Sequence, residues 1–411
     1  MIDKEFIKGS ATFGLGYATA RVLGLLFFII VARICIPEDY GYIKYSIAVA
    51  GIAGVALVSQ GTTLARYLGK YKGNKEIENQ YFSNIVIAVL ITLFIVVLVL
   101  FIILYIVNKL HVGIFLVVIG TTISEIYYGL LRGFIFYIRL TLFLIGTNVV
   151  KIVLILLIFY TGYYQPQLVL AIFGLSCIVP LLFMELKNPS PVSFKIKTVS
   201  KETLKELGKF SVPIIVASYA YSLITSFDTI CIEHYLGMYE VGIYSVAKTL
   251  GQIFVFVPLA INTILMPKVA GFNEKKEIKR YLKLSLVLVI SASLVLLSGI
   301  YMFQRELIEL IFTAKYLEAS AVLVIYSMGM VFYSIYSTAG NVLIGVGKPK
   351  IYMDTSLICA MINVIGNLYA VPRWGIYGAG IIFMVSYLIA LISLFIITLL
   401  RYKRYTKEES K

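Results

Sequence analysis

Five ionisable side chains stand in stretches that otherwise carry almost no charge: Arg21, Glu125, Lys151, Asp228 and Lys248. On insertion scales a single Arg or Lys at the centre of an apolar segment costs ~2.5–3.5 kcal/mol, so such a residue marks either an ion pair or a path for something charged. Three cations with two anions suit a diphosphate, because a guanidinium grips phosphate as a fork and an ammonium as a point charge. Arg21, Lys151 and Lys248 are the candidate phosphate ligands, with Arg21 foremost. Asp228 and Glu125 are candidates for charge balance or for carrying a coupling ion. The competing reading is internal neutralisation, Asp228 by Lys248 and Glu125 by Lys151. Asn148 shares a helix face with Lys151 at i, i+3 and could meet a sugar hydroxyl or bind one helix to another. Asn363 and Asn367 are spaced to do the same or to bind one helix to another. Tyr244, Tyr219 and Tyr221 could stack on sugar rings, or belong to the aromatic belt expected where spans end.

The elements that position these residues are set by composition. Of 411 residues, 60% are hydrophobic and 14% charged, against about half and a quarter in soluble chains. Residues 81–108, 284–304, 319–347 and 374–400 contain no formal charge. A crossing helix needs ~20 apolar residues, and no alternation of barrel type is present. The pattern predicts an all-α polytopic protein with about twelve transmembrane helices, at 10–35, 41–66, 80–107, 112–132, 140–161, 167–186, 209–234, 241–267, 281–303, 318–346, 351–371 and 376–400. The uncharged run 152–184 is divided at Gly162 and Pro166, residues that punctuate helices.

Lys and Arg orient the spans. The two termini and the alternate loops on their side hold 27 of the 36 basic residues, and the opposite loops hold five. Both termini are therefore expected in the cytoplasm of a bacterial or archaeal cell, with the chain in the cytoplasmic membrane. The same bias accounts for the net charge of +15 through an anionic leaflet, with no nucleic-acid partner. Asp3, Lys4, Glu5 and Lys8 before a full-length first span do not resemble a cleaved signal. Cys35, Cys177, Cys231 and Cys359 show no metal-ligand spacing, and no metal site is expected. The string ending Gly347-Lys348-Pro349 lacks the spacing and the Ser/Thr of a phosphate loop. No enzyme and no ATPase is expected.

The chain repeats. Tyr45-Ser46-Ile47-Ala48 recurs as Tyr244-Ser245-Val246-Ala247, each after an acidic turn and a glycine, Glu38-Asp39-Tyr40-Gly41 and Glu240-Val241-Gly242. Six spans separate the copies, so the halves run parallel, an arrangement typical of transporters that bind substrate at the repeat interface. The expected division is an N-terminal six-helix lobe at 1–186, an inter-lobe linker at 187–208, a second six-helix lobe at 209–401 and a tail at 402–411.

Three blocks carry a family resemblance: Ala32-Arg33 through Pro37-Glu38-Asp39-Tyr40-Gly41; Phe210-Ser211-Val212-Pro213 through Asp228 and Glu240 to Ala247, closing at Pro267; and Asn363 to Asn367 through Pro372 to Ala379. In this order the chain resembles the polysaccharide repeat-unit flippases (Wzx-type O-antigen and capsule transporters) of the multidrug/oligosaccharidyl-lipid/polysaccharide superfamily. The resemblance implies a MATE-like fold with a central cavity. It implies flipping of polyprenyl-diphosphate-linked oligosaccharide by alternating access, with possible coupling to H+ or Na+ and no other cofactor. The implied partners are the lipid-linked glycan, the bilayer, and glycosyltransferases or a polymerase of the same pathway. Two features separate this chain from neighbouring branches. It has twelve spans, not the fourteen of lipid II flippases, and it has Arg21 in a first helix where many multidrug extruders carry an acid. A cation-coupled extruder, and a polysaccharide polymerase or ligase, are the alternative readings; the longest external loop, near 304–318, is short for the latter.

Overall fold

A computed structural model describes residues 4–262, 275–346 and 348–408. Pro267, the start of the basic loop after it and the end of the tail lie outside the described residues. Those described contain no strand. The helices are α1 (Lys4–Ile34), α2 (Pro37–Ala53), α3 (Val55–Lys70), α4 (Lys75–Ile106), α5 (Val112–Gly133), α6 (Tyr137–Thr161), α7 (Pro166–Leu175), α8 (Ile178–Lys187), α9 (Lys201–Leu236), α10 (Met238–Gly251), α11 (Lys275–Phe312), α12 (Ala319–Gly345) and α13 (Pro349–Glu408).

Local chemistry explains the boundaries. The Asn74 side chain accepts from the Ile77 amide at 3.2 Å and Glu76 and Glu78 occupy the first turn of α4, which satisfies a free N–H and favours the positive end of the helix. α6 stops at Gly162, in the left-handed region at φ 69°, and α7 restarts on Pro166, a residue that suits a first helical position. The sequence punctuation falls where the chain turns.

Among the described residues ten helices are long and apolar enough to cross a membrane, and α2 with α3, bent by 56°, adds an eleventh. One of the ten, Pro349–Thr398, has 50 residues, ~75 Å of helix against a ~30 Å hydrocarbon core. Gly375, at φ 60° and ψ −146°, interrupts it. Beyond the break a methyl on Gly378 would meet the Ala370 carbonyl oxygen at 2.5 Å, so the chain doubles back as a tight hairpin of two crossings. Counted so, the expected twelve are present. α4 shows what they face: Phe94 is 70% exposed and Leu90, Ile91, Ile95, Leu98 and Ile102 are exposed beside it. A face of this kind is stable only against lipid.

The chain forms two compact units, one of Met1–Ile34 and Tyr45–Ser222, the other of Cys35–Lys44 and Leu223–Lys411. In the first, small residues let backbones approach: a methyl on Gly120 would lie 1.9 Å from the Gly174 carbonyl oxygen, and one on Gly61 2.3 Å from that of Glu125. Such crossings replace the hydrophobic drive that lipid removes. In the second, Tyr326 stacks on Phe383 at 4.3 Å, and Gly329 admits the Phe383 ring.

The units part at Ser222, inside α9, whereas the expected boundary was the 187–208 linker. Hydrogen bonding gives the reason. Buried Asn79, Ser83 and Asn84 of α4 use their side chains on residues 188–200, the strap that joins α8 to α9. Asn79 Oδ1 accepts from the Ser193 amide at 2.7 Å, Ser83 Oγ from the Lys195 amide at 2.8 Å, and Asn84 Oδ1 from the Ser200 amide at 3.0 Å. Asn84 Nδ2 donates to the Thr198 carbonyl, and Tyr81 donates to Glu206 at 2.9 Å. The strap and the first half of α9 are thereby part of the first unit.

The ten residues Cys35–Lys44 belong to the second unit although both neighbouring segments belong to the first. Tyr40 lies edge-on to Tyr316 at 5.9 Å and its hydroxyl is 3.2 Å from that of Thr249. A methyl on Gly41 would meet the Met238 carbonyl oxygen at 1.9 Å, and one on Gly242 that of Pro37 at 2.0 Å. These contacts are reciprocal, so the first turns of α2 and α10 are related by a local twofold, with Gly41 equivalent to Gly242. The Tyr-Ser-x-Ala match, offset by 199 residues, is two residues out of that register.

Candidate functional site

In the second unit Asp228, Lys248 and Tyr244 converge. Asp228 sits at 0% exposure in α9. Its Oδ1 accepts from the Thr229 amide at 2.7 Å, the Thr229 hydroxyl at 3.1 Å and Lys248 Nζ at 2.7 Å. Its Oδ2 accepts from the Tyr244 hydroxyl at 2.8 Å and from the same ammonium at 2.9 Å. Lys248 Nζ also donates to the Thr225 carbonyl at 2.6 Å. The carboxylate is saturated and the charges cancel, which is the neutralisation reading for this couple. Tyr244 requires a correction. It is wholly buried, its ring edge-on to Tyr326 at 6.1 Å, so no ring face is open to a sugar.

The first unit differs. Glu125 and Lys151 do not pair: among the described residues Lys151 makes no hydrogen bond or ion pair, and its Nζ stands 4.2 Å from the centroid of the Phe173 ring. Phe173 in turn packs on Phe27 and Phe28, at 6.2 and 5.6 Å. An ammonium over an aromatic face is attracted without being neutralised. Arg21 is held by Tyr17, one turn earlier in α1: Nε and Nη2 donate to the phenol oxygen at 3.2 and 2.7 Å. Asn148 Nδ2 donates to the Leu144 carbonyl at 2.9 Å, while its Oδ1 lies 3.5 Å from the place of a methyl on Gly24, so Asn148 faces α1. In the first unit Lys151 therefore rests on a ring face and Arg21 contacts the Tyr17 phenol, whereas the second unit holds Asp228 and Lys248 as a neutralised pair.

Asn363 and Asn367, both fully buried, bond to each other: Asn367 Nδ2 donates to the Asn363 carbonyl at 2.8 Å and to its Oδ1 at 3.1 Å. Tyr17 escaped the sequence reading although its i, i+4 spacing to Arg21 was a usable signal. So did Thr229, adjacent to Asp228. Phe173, which meets Lys151 through tertiary packing, offered no signal.

The comparisons with known proteins follow this architecture. Residues 6–270 match the family model described as polysaccharide biosynthesis protein, and 213–369 match the MatE model. The capsular polysaccharide biosynthesis protein CapF of Staphylococcus aureus is 23% identical over 90% of this chain and 93% of its own. The uncharacterised membrane protein MJ1068 of Methanocaldococcus jannaschii is 27% identical over 55% of this chain, a stretch spanning only 46% of that relative. The probable low-salt glycan biosynthesis flippase Agl15 of Haloferax volcanii is 26% identical over 48% of this chain and 43% of its own. An inward-facing MATE multidrug transporter superposes with a TM-score of 0.74 at 16% identity, covering 94% of this chain and 96% of the other. The lipid II flippase MurJ does so at 0.72, also 16% identical, covering 94% and 87%. At such identity the two structures establish the MATE-like fold.

Proposed function

Because the chain belongs to the polysaccharide biosynthesis protein family, we propose that this multi-pass membrane protein is a flippase of polysaccharide biosynthesis that moves a polyprenyl-diphosphate-linked oligosaccharide across the cytoplasmic membrane by alternating access. The observation that carries the reading is Lys151, an ammonium set on an aromatic face inside a helix long and apolar enough to cross a membrane. Arg21 is held by a phenol and Lys151 by an aromatic ring. The aromatic contact leaves the Lys151 ammonium uncancelled and able to attract an anionic headgroup, and the Tyr17 phenol orients the Arg21 guanidinium for the same role. Lys248, locked on Asp228, is not assigned to the diphosphate. Asp228 is likewise saturated, so any coupling through H+ or Na+ falls to Glu125. The termini face the cytoplasm, where glycosyltransferases supply the loaded lipid; a polymerase on the other side consumes it.

The test is complementation of a flippase-deletion host by Arg21→Ala and Arg21→Lys at equal protein level, scored for surface glycan. Arg21→Ala is expected to abolish export, with partial return in Arg21→Lys, whose ammonium keeps the charge and loses the fork. Unchanged export with Arg21→Ala overturns the assignment. Drug resistance conferred without glycan export would favour the extruder.

A further inference from the structure

The strap between α8 and α9 presents an outward row that the flippase reading does not use. Its inward side is committed to Asn79, Ser83 and Asn84 through the amides of Ser193, Lys195 and Ser200. Its outward side alternates apolar and basic: Phe194 is 46% and Ile196 70% exposed, with exposed Lys195 and Lys197 between and after them and exposed Lys201 and Lys205 on the first turns of α9. Leu186, at the end of α8, is 85% exposed. Both flanking segments, Pro166–Lys187 and Lys201–Leu236, are long and apolar enough to cross a membrane, which puts the row between the ends of two such helices. A polar partner surface would leave Phe194 and Ile196 unburied. Water does so too, whereas the headgroup boundary of a bilayer takes apolar side chains and basic ones together.

We propose that residues 193–205 form a binding site for acidic phospholipid headgroups, with Phe194 and Ile196 dipping below the phosphates and Lys195, Lys197 and Lys201 pairing with them. The pinned backbone holds the row in one orientation, so the lipid meets a preformed surface. Each juxtamembrane lysine contributes about a fivefold preference for an anionic surface. Because the strap is stitched to α4 and runs directly into α9, the lipid also fixes the start of the helix that carries Asp228.

The native cysteines are free and buried, so Ile196→Cys can be spin-labelled selectively in the full chain. The labelled protein is placed in nanodiscs of phosphatidylcholine, with and without phosphatidylglycerol, and the label's accessibility to dissolved oxygen is compared with that to a water-soluble nickel chelate. Phosphatidylglycerol is expected to raise the oxygen-to-nickel ratio severalfold, and Lys195→Gln with Lys197→Gln to abolish the increase while a label on lipid-facing Ile95 is unchanged. A label equally exposed to nickel in both lipids overturns the proposal. So does burial at Ile196 only on addition of a cytosolic extract, which would mark the row as a protein-docking surface. The readout is independent of transport, so its failure leaves the flippase reading intact.

Discussion

Replacing Asp228 by Asn tests whether the network in the second unit is scaffold or machinery. The carboxylate takes five contacts from four donor groups, the Thr229 amide and hydroxyl, the Tyr244 hydroxyl and Lys248 Nζ. An amide keeps one acceptor oxygen and turns a donor towards groups that themselves donate. Lys248 retains the Thr225 carbonyl and the Thr229 hydroxyl, neither of which carries a charge to balance it. Removing one partner of a buried ion pair costs about 3–5 kcal/mol. Neutral contacts between membrane helices average only ~0.6 kcal/mol, so the charge dominates. Asp228→Asn and Lys248→Gln are each expected to lower unfolding free energy by about 3 kcal/mol or more. The double variant, which leaves no unbalanced charge, should lose less than either single change. The assay is a double-mutant cycle on the purified protein, by thermal unfolding in detergent and in nanodiscs, with glycan export scored in parallel. Additive losses in the double variant would refute the pairing argument. Wild-type melting of Asp228→Asn with lost export would show instead that the carboxylate works in transport.

Two further outcomes follow from packing. Gly242→Ala places a methyl 2.0 Å from the Pro37 carbonyl oxygen, and Gly41→Ala places one 1.9 Å from that of Met238. Neither backbone can yield cheaply, and overpacking of this kind costs about 1–3 kcal/mol, so each variant should melt earlier, whereas Gly208→Ala, with open space around it, should not. Asn84→Ala removes the bonds to the Ser200 amide and the Thr198 carbonyl. It should expose the strap to limited proteolysis between 188 and 200 before any change at α4, and unaltered cleavage there would show that the strap is held by something else.

Much of this protein was legible without coordinates. Crossing a bilayer demands ~20 apolar residues per helix, so the charge-free runs dictate the spans, and Gly162, Pro166 and Gly375 mark the breaks because a left-handed φ or a missing amide acts locally. The family blocks were legible for the same reason, being short and contiguous. What required tertiary structure was every statement about who meets whom. Asp228 and Lys248 stand 20 residues apart and could be matched by depth, and they meet. Glu125 and Lys151 could be matched by the same reasoning and do not, because the Lys151 side chain ends on Phe173, and helix rotation about its axis leaves no trace in a charge count. The unit boundary inside α9 and the capture of Cys35–Lys44 by the second unit are likewise invisible along the chain. The first depends on Asn79, Ser83 and Asn84 finding backbone partners more than a hundred residues away, and the second on Tyr40 reaching Tyr316 and Thr249 and on Gly41 and Gly242 admitting each other's helix. Sequence order sets which segments leave water; the side chains that must be satisfied once water is gone decide where the units divide.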